Sequence, residues 1–318
     1  MSATRIAVVG SYATGLTMKT ARIPGAGETL LGSGYRVDFG GKGSNQAVGC
    51  ARLGAQVSFV AKIGSDNFGE MALGLYRDEG IDITHLKRIS EAPTGVGFIV
   101  VESGSGHNCI VLDPGANELL TPADVAQAKA VLNSAAVVLT QLEIPVDAAA
   151  GALEHGRQGG AITILNPAPV RPLAASILSL VDVLTPNEKE ARVLAGRDPH
   201  ADVKPEIVAQ ELLHRGVKQV VITLGEKGAL LCTSSTCRQF PAVLVQPADT
   251  TGAGDAFNAG LAVALARGGR IEAAVEFAVV TGAMAVMKEG VIPSLPKLSE
   301  VREFCRSRKI ATPAWLGA

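Results

Sequence analysis

The sequence predicts an α/β fold in which a mainly parallel sheet is doubly wound, with helices on both of its faces. Three observations lead to this fold class. From residue 122 onward, short apolar runs alternate with stretches of helical periodicity, which is typical of a parallel sheet. Polar residues and glycines cluster just after these runs. Two other stretches, about 12–39 and 94–113, hold paired strand patterns with no helix between them, which predicts a small additional sheet.

The elements follow from these patterns in chain order. Strands are expected at 6–10, 57–61, 137–139, 162–165, 181–184 and 220–223, with strand-like segments at 229–233 and 239–245. Helices are expected at 47–53, 68–79, 122–132, 146–157, 172–179, 205–214, 271–287 and 297–308, and one more begins after residue 252. Glycines such as Gly54 and Gly80 follow helix ends, because glycine accepts the left-handed conformation there. The stretches 12–39 and 94–113 would form a small β lid on a single α/β domain of residues 1–318.

The composition excludes several functions. The 318 residues include 29 basic and 30 acidic side chains, so there is no electrostatic case for binding nucleic acid or an anionic membrane. No apolar run approaches the roughly 20 residues of a membrane span. No signal-peptide pattern precedes the first strand, and the five cysteines are scattered, with no histidines clustered near them. We therefore expect a cytoplasmic protein with reduced thiols and no zinc site.

The most informative stretch is 249–260, which reads as a loop that turns into a helix. The small residues at 252–254 would let a ligand approach the backbone closely. A helix N-terminus attracts phosphate, because its amide groups and its dipole favour an anion. Asp255 would repel a bound phosphate, so its presence suggests a general base beside a transferring phosphoryl group. The alternative is a structural loop in which Asp255 is a favourable acid at a helix start.

Further polar loops follow other strands and are expected at the same edge of the sheet. The glycine-rich stretch 40–46 could clamp hydroxyls or a phosphate, or be a flexible turn. Glu143 could accept two hydroxyl hydrogens, or be a solvated acid. Asn187 and Glu190 could hold Mg²⁺ through water, or form a capping box. The stretch 223–228 could wrap a nucleotide.

Two motifs give the chain its resemblance to a known family. The segments 40–47 and 249–257 resemble the N-terminal and C-terminal signatures of the ribokinase-like carbohydrate kinases. Shorter matches at 141–143, 166–169 and 186–190 extend the resemblance from end to end. The resemblance implies a ribokinase-like fold. It also implies transfer of the γ-phosphoryl group of ATP to a primary hydroxyl of a sugar.

The resemblance further implies roles for individual residues. Asp255 would be the catalytic base, and the anion hole would consist of the amides of Gly252, Ala253 and Gly254. Sugar contacts would come from Gly41, Lys42, Asn45, Glu143 and Asp255. ATP would lie along Asn187, Thr223, Gly225, Gly228 and Gly254, with Mg²⁺ held through water by Glu190. A K⁺ ion would be surrounded by Asp249, Thr251, Ala285, Lys288, Gly290 and Ser294. The lid would pair with that of a second subunit to form a homodimer.

Some positions depart from the ribokinase pattern. Where ribokinase has an Asn and an Asp that bind sugar hydroxyls, the ungapped match places Ala13 and Gly15. Losing a hydrogen-bonding partner can change discrimination by factors of up to about 10⁴. Either Tyr12 or Thr14 replaces these contacts, or a different or larger substrate fills the space. Val279 replaces a polar residue near the nucleotide, which would alter nucleotide preference.

Alternatives to a ribokinase-like sugar kinase stay open. One is a kinase for a non-ribose sugar, and another is a nucleoside kinase whose base occupies the space at Ala13 and Gly15. A sugar-binding protein without catalysis is disfavoured by the intact run 252–255. A dehydrogenase is disfavoured because the stretch 10–15 lacks the spacing of the dinucleotide fingerprint.

Overall fold

A computed structural model describes residues 4–105 and 107–311. The strands are β1 (Arg5–Val9), β2 (Ala13–Thr20), β3 (Ser33–Gly40), β4 (Gln56–Gly64), β5 (Leu86–Ile89), β6 (Gly95–Glu102), β7 (Asn108–Asp113), β8 (Val137–Gln141), β9 (Ile162–Asn166), β10 (Val183–Leu184), β11 (Gln219–Thr223), β12 (Ala229–Cys232) and β13 (Cys237–Phe240). The helices are α1 (Lys42–Arg52), α2 (Asn67–Asp78), α3 (Pro122–Gln127), α4 (Lys129–Ser134), α5 (Val146–Gln158), α6 (Ala175–Leu178), α7 (Glu188–Leu194), α8 (Pro205–His214), α9 (Ala253–Ala266), α10 (Ile271–Ala285), α11 (Val291–Ser294) and α12 (Leu298–Arg308).

Within the described ranges, the main sheet has nine strands in the order β13-β12-β11-β10-β9-β8-β1-β4-β5. Strands β4, β1, β8, β9, β10 and β11 run parallel, and β12 is antiparallel to both of its neighbours. Helices cover both faces, so the predicted doubly wound, mainly parallel α/β fold is confirmed. Strand β1 shows why the strands are apolar: Ile6 and Val8 belong to one buried core, and Ala7 and Val9 to the core on the opposite face.

A second sheet of four strands, in the order β3-β2-β6-β7, forms the small lid. Strand β2 pairs antiparallel with β3 and parallel with β6, which joins the two distant hairpin-like stretches of the sequence. The side chain of Asn117 fixes the point where β2 begins. Its Oδ1 accepts from the Tyr12 amide at 3.0 Å, and its Nδ2 donates to the Tyr12 carbonyl at 2.7 Å. The stretch 94–113, for which paired strands were expected, includes Gly106, which lies outside the described residues.

Several element boundaries differ from the expectation for physical reasons. Helix α1 begins at Lys42, so most of the expected loop 40–46 is helical. Gly43 is needed there for close packing, since a Cβ atom would lie 2.4 Å from the Ser11 amide nitrogen. The expected helix 122–132 is divided at Ala128 into α3 and α4, and the expected strand 239–245 ends before Pro241, which cannot donate a ladder hydrogen bond.

The expectation that all five cysteines are reduced is wrong for Cys232 and Cys237. These two residues face each other on β12 and β13 and form a disulfide. The turn between the strands brings them together, which their spacing of five residues did not indicate. No helix in the described ranges is long and apolar enough to cross a membrane. The cytoplasmic location stays a prediction.

Candidate active site

A polar chamber of about 120 Å³ lies where several main-sheet strands end. Asn166 ends β9 and Thr223 ends β11, and both face this chamber. The first turns of α1, α7 and α9 complete the wall with Lys42, Glu190 and Asp255. The loops expected at one edge of the sheet therefore do converge, as the carboxyl ends of parallel strands should.

Asp255 is the buried acid of this chamber, with 6% of its surface exposed. Its Oδ2 accepts from Asn45 Nδ2 at 2.8 Å, and its Oδ1 accepts from Gln46 Nε2 at 2.9 Å. Burial raises the pKa of Asp255, while the charge of Lys42 and the two amides oppose that rise. The carboxylate thus has a fixed orientation and a higher proton affinity than an exposed aspartate, as a general base requires.

Gln46 is a site residue that the sequence reasoning did not single out. Its Nε2 also lies 3.1 Å from Asn166 Oδ1, and its Oε1 accepts from Gln141 Nε2 at 2.6 Å. Gln46 is buried and held at both ends of its amide, so it can orient Asp255. The available signal was its place beside Asn45 in the glycine-rich motif.

The helix start next to Asp255 suits an anion. Gly252 precedes α9 with φ of 81°, and a Cβ atom there would lie 2.6 Å from Val291 Cγ1. Only glycine meets both conditions without strain. Gly252 and Gly254 line the chamber. Ala253 lines a second, larger cavity beside the chamber, and its amide donates to the Thr250 carbonyl at 3.3 Å. An anion hole formed by the amides of Gly252, Ala253 and Gly254 stays a prediction.

Lys42 supplies positive charge to the chamber. Burial disfavours this charge, but the carboxylates of Asp255, Glu143 and Glu190 raise the pKa of Lys42. The amide of Lys42 and the hydroxyl of Ser11 both donate to Glu143 Oε2, at 2.8 and 2.6 Å. One carboxylate oxygen of Glu143 therefore binds the start of α1, which directly follows Gly41.

Asn187 and Glu190 form the capping box that was one of their two interpretations. Asn187 Oδ1 accepts from the Glu190 amide at 2.9 Å, and Glu190 Oε2 accepts from the Asn187 amide at 2.8 Å. Both residues also line the chamber. Burial raises the pKa of Glu190, with the Asn187 amide and Lys42 acting in the opposite direction. A structural role in α7 and a position facing a ligand are therefore compatible.

A larger cavity of about 660 Å³ adjoins the chamber, and Thr223 lines both. Its wall includes Gly225, Gly228 and Val279, and most of the exposed surface is apolar. Gly228 has φ of 92°, and a Cβ atom would lie 2.0 Å from the Phe240 carbonyl oxygen, so only glycine fits at this position of the loop. A cavity of this size and character fits a nucleoside, with its phosphates directed to the chamber.

Asp249 connects two loops beside the start of α9. Its Oδ1 accepts from the Thr251 amide at 2.9 Å, and its Oδ2 accepts from the Gly290 amide at 3.1 Å. Burial acts to raise the pKa of Asp249, but these bonds and the charge of Arg36 lower it overall. The Asp249 amide also lies 3.2 Å from the Val286 carbonyl. The carboxylate therefore accepts from main-chain N–H groups of both loops, and a K⁺ site beside it stays a prediction.

Among the remaining residues of the expected K⁺ site, Ala285 ends α10, Lys288 and Gly290 lie on the second of these loops, and Ser294 ends α11. The Lys288 amide lies 3.4 Å from the Ala285 carbonyl, and its side chain pairs with Glu300 at 2.9 Å. The Ser294 hydroxyl donates to the Val291 carbonyl at 2.8 Å. Within the described ranges, no group of three or more His, Cys, Asp or Glu residues could hold a metal ion. A divalent ion at Glu190 would therefore depend on water and nucleotide phosphates for most of its ligands.

Tyr12 and Thr14, which lie near the expected position of the sugar, contradict one expectation. Tyr12 and Thr14 are both fully buried, and their hydroxyl oxygens lie 3.1 Å apart. The Tyr12 ring packs edge-on against Tyr76. Because side chains alternate along a strand, these two point away from the face that carries Ala13 and Gly15. The idea that Tyr12 or Thr14 replaces the missing sugar contacts is wrong.

Comparisons with known proteins agree with this geometry. Residues 3–298 match a family described as pfkB family carbohydrate kinase. Ribokinase from Haemophilus influenzae is 38% identical over 300 residues, covering 94% of this chain and 97% of that protein. Deoxyribokinase from Salmonella typhi is 34% identical over 300 residues, covering 94% and 98%. The structure of Arabidopsis thaliana ribokinase complexed with ribose and ATP has a TM-score of 0.86 and 30% identity, covering 95% and 98%.

Proposed function

We infer the reaction from one premise: the chain belongs to the pfkB family of carbohydrate kinases and is a phosphotransferase that acts on sugar hydroxyl groups. We propose that it transfers the γ-phosphoryl group of ATP to a primary hydroxyl of a sugar. The observation that carries this assignment is the buried Asp255, oriented by two amides beside the glycine-lined start of α9.

The residues of the chamber can perform each part of the transfer. Asp255 accepts the proton of the sugar hydroxyl while the oxygen of that hydroxyl bonds to the γ-phosphorus. The bond from this phosphorus to the β–γ bridging oxygen breaks, and ADP is released. Amides at Gly252 and Gly254 and the charge of Lys42 stabilise the charge on the transferring group. One such donor typically contributes about 3–4 kcal/mol, and base catalysis a factor of about 10²–10⁴.

Other residues would bind the nucleotide, the sugar and the ions. Glu143 and Asn45 would contact the sugar, and Thr223 and the loop 225–228 would contact ATP. Mg²⁺, held through water by Glu190 and Asn187, would screen the phosphate charge. A K⁺ ion would bind between the loops 249–251 and 285–294. Chelation with EDTA should abolish turnover, and replacing K⁺ by Na⁺ should lower it.

The test is ATP turnover with a panel of D-ribose, 2-deoxy-D-ribose, D-fructose and uridine. Asp255→Asn should reduce acceptor-dependent turnover by at least about 10²-fold. Glu303→Gln, on the exposed side of α12, is a matched control that should retain full activity. Acceptor-dependent turnover that survives Asp255→Asn would refute this mechanism.

A nucleoside kinase is the second candidate, and the lid supports it in one respect. Gly15 faces Gly97 in the register of β2 and β6, so two neighbouring positions have no side chain. A nucleobase has room to lie across such a surface. Phosphorylation of uridine in preference to ribose would favour this candidate, whereas sugar binding without ADP formation would indicate a protein that has lost catalysis.

We also propose a homodimer formed through the lid. Phe98 and Val111 face each other on β6 and β7 and are 56% and 64% exposed. Apolar side chains at this exposure suit an interface between copies of the chain.

A further inference from the structure

The first two positions on one face of β2, Ala13 and Gly15, carry no polar side chain. Just before the strand, the Ser11 hydroxyl donates to Glu143. Ala13 and Gly15 follow on alternate positions and therefore on one face of the strand. A hydroxylated acceptor that extends from Glu143 along this face meets no hydrogen-bonding group on β2 until Thr17.

The neighbouring strand places a carboxylate on the same face. Asp38 of β3 is directly opposite Gly15 in the antiparallel register. A Cβ atom built on Gly15 would lie 3.8 Å from Asp38 Cβ and 3.5 Å from Ile99 Cδ1. Because Gly15 has no side chain, nothing from β2 covers the Asp38 carboxylate, which is 27% exposed.

Arg36 holds this carboxylate in place. Its Nε lies 2.5 Å from Asp38 Oδ2, and the two residues share a face of β3. The pair offers an acceptor oxygen and guanidinium donors side by side. Strand β3 also packs against α11, which follows Gly290 and hence the loop bonded to Asp249. The pair therefore lies at the border between the lid and the phosphoryl-transfer loops.

We propose that Asp38, held by Arg36, is a specificity-determining residue that binds hydroxyl groups of the acceptor in place of side chains at positions 13 and 15. The acceptor is an uncharged, polyhydroxylated sugar or a riboside. One hydroxyl donates to Asp38, and a neighbouring oxygen accepts from Arg36. This inference rests on the proposed function and adds to it the chemistry that the lid recognises.

The test moves the carboxylate from one strand to the other. Asp38→Ala should raise KM for the acceptor by about 10- to 100-fold, the effect of losing a hydrogen bond to a charged group, and leave KM for ATP unchanged. Adding Gly15→Asp to this variant should restore much of the affinity. Gly15 has an ordinary backbone conformation and only van der Waals neighbours for a Cβ atom, so the position accepts a side chain.

A matched control is Glu102→Gln, which removes a carboxylate from the opposite face of the lid and should leave both KM values unchanged. The probes are the four acceptors named above. An active enzyme whose KM for its best acceptor is unaffected by Asp38→Ala would overturn this inference alone. The inference would also be overturned if Asp38→Ala raised KM for ATP in parallel. It would be overturned as well if adding Gly15→Asp restored none of the affinity for the acceptor in a variant that melts at the wild-type temperature. Wild-type enzyme that phosphorylates none of the acceptors would overturn the proposed function itself.

Discussion

Gln46→Leu should change the pH dependence of the enzyme without removing its base. The substitution preserves most of the side-chain volume but deletes the amide that donates to Asp255 Oδ1 at 2.9 Å. That hydrogen bond favours the ionised carboxylate, so its loss raises further the pKa of a group that burial already raises. Asp255 acts as a base only when ionised, and activity will therefore be lost at a higher pH on acidification.

The magnitude follows from the bond that is removed. A hydrogen bond to a charged group contributes about 1.5–3 kcal/mol. At about 1.4 kcal/mol per pKa unit, the acid limb of kcat/KM should move up by roughly 1–2 pH units. Asn166 and Gln141 also lose their contacts with Gln46. Leaving a buried polar group without a partner costs about 1–3 kcal/mol, so the free energy of unfolding should fall as well.

The assay is kcat/KM for the acceptor measured from acid to neutral pH, together with thermal unfolding. Gln141→Leu is the matched control, since it removes the amide that donates to Gln46 Oε1 at 2.6 Å and leaves the contact of Gln46 with Asp255. It should destabilise the fold with no shift of the acid limb. An unshifted limb in Gln46→Leu, with the protein folded, would refute the view that Gln46 positions and tunes the base.

Three further predictions concern the chamber wall and the lid. Lys42→Met should also move the acid limb to higher pH, because the Lys42 charge lowers the pKa of Asp255; Lys42→Arg should restore the limb, and a limb unchanged in Lys42→Met would contradict this account. Gly252→Ala should lower the free energy of unfolding by about 1–2 kcal/mol or more, since its φ is 81°. Gly254→Ala, where a Cβ atom meets no neighbour, should unfold at the wild-type temperature or above and lose activity only through the methyl group in the chamber; equal melting of the two variants would argue against strain at Gly252. Phe98→Glu should shift a lid-mediated dimer to monomer in analytical ultracentrifugation, and an unchanged mass would place any dimer contact elsewhere.

The sequence predicted those parts of the fold that local patterns specify. The bounds of α8 agree with the expected helix 205–214, and the buried strands were recognised from their apolar runs. Strand β5 was missed, because its sequence Leu-Lys-Arg-Ile is half charged and lies at the sheet edge. The start of α1 was also missed: glycine has poor helix propensity, and only close packing of Gly43 on Ser11 explains its presence there.

The site was predicted as a set of residues and not as a set of contacts. Motif spacing indicated Asp255, Lys42 and Glu190, but the pairing of Gln46 with Asp255 joins residues 209 positions apart, and no local pattern encodes it. The position of Asp38 opposite Gly15 depends on the register of β2 and β3. A strand pattern predicts which residues alternate, and it leaves open which residue of the next strand lies opposite.

The separation of Asn45 and Asp255 by 210 residues has a consequence for biosynthesis. At about 5–20 residues per second, roughly 10–40 s pass on the ribosome between the synthesis of these two residues. Helix α1 spends that interval without α9, the helix that covers much of it in the folded protein. A nascent chain that ends between Glu143 and Gly254 therefore has the residues expected to contact the acceptor and no base. A translation pause or truncation in that interval produces a chain that lacks the base needed for phosphoryl transfer from ATP. The order of synthesis therefore prevents catalysis by an incomplete enzyme.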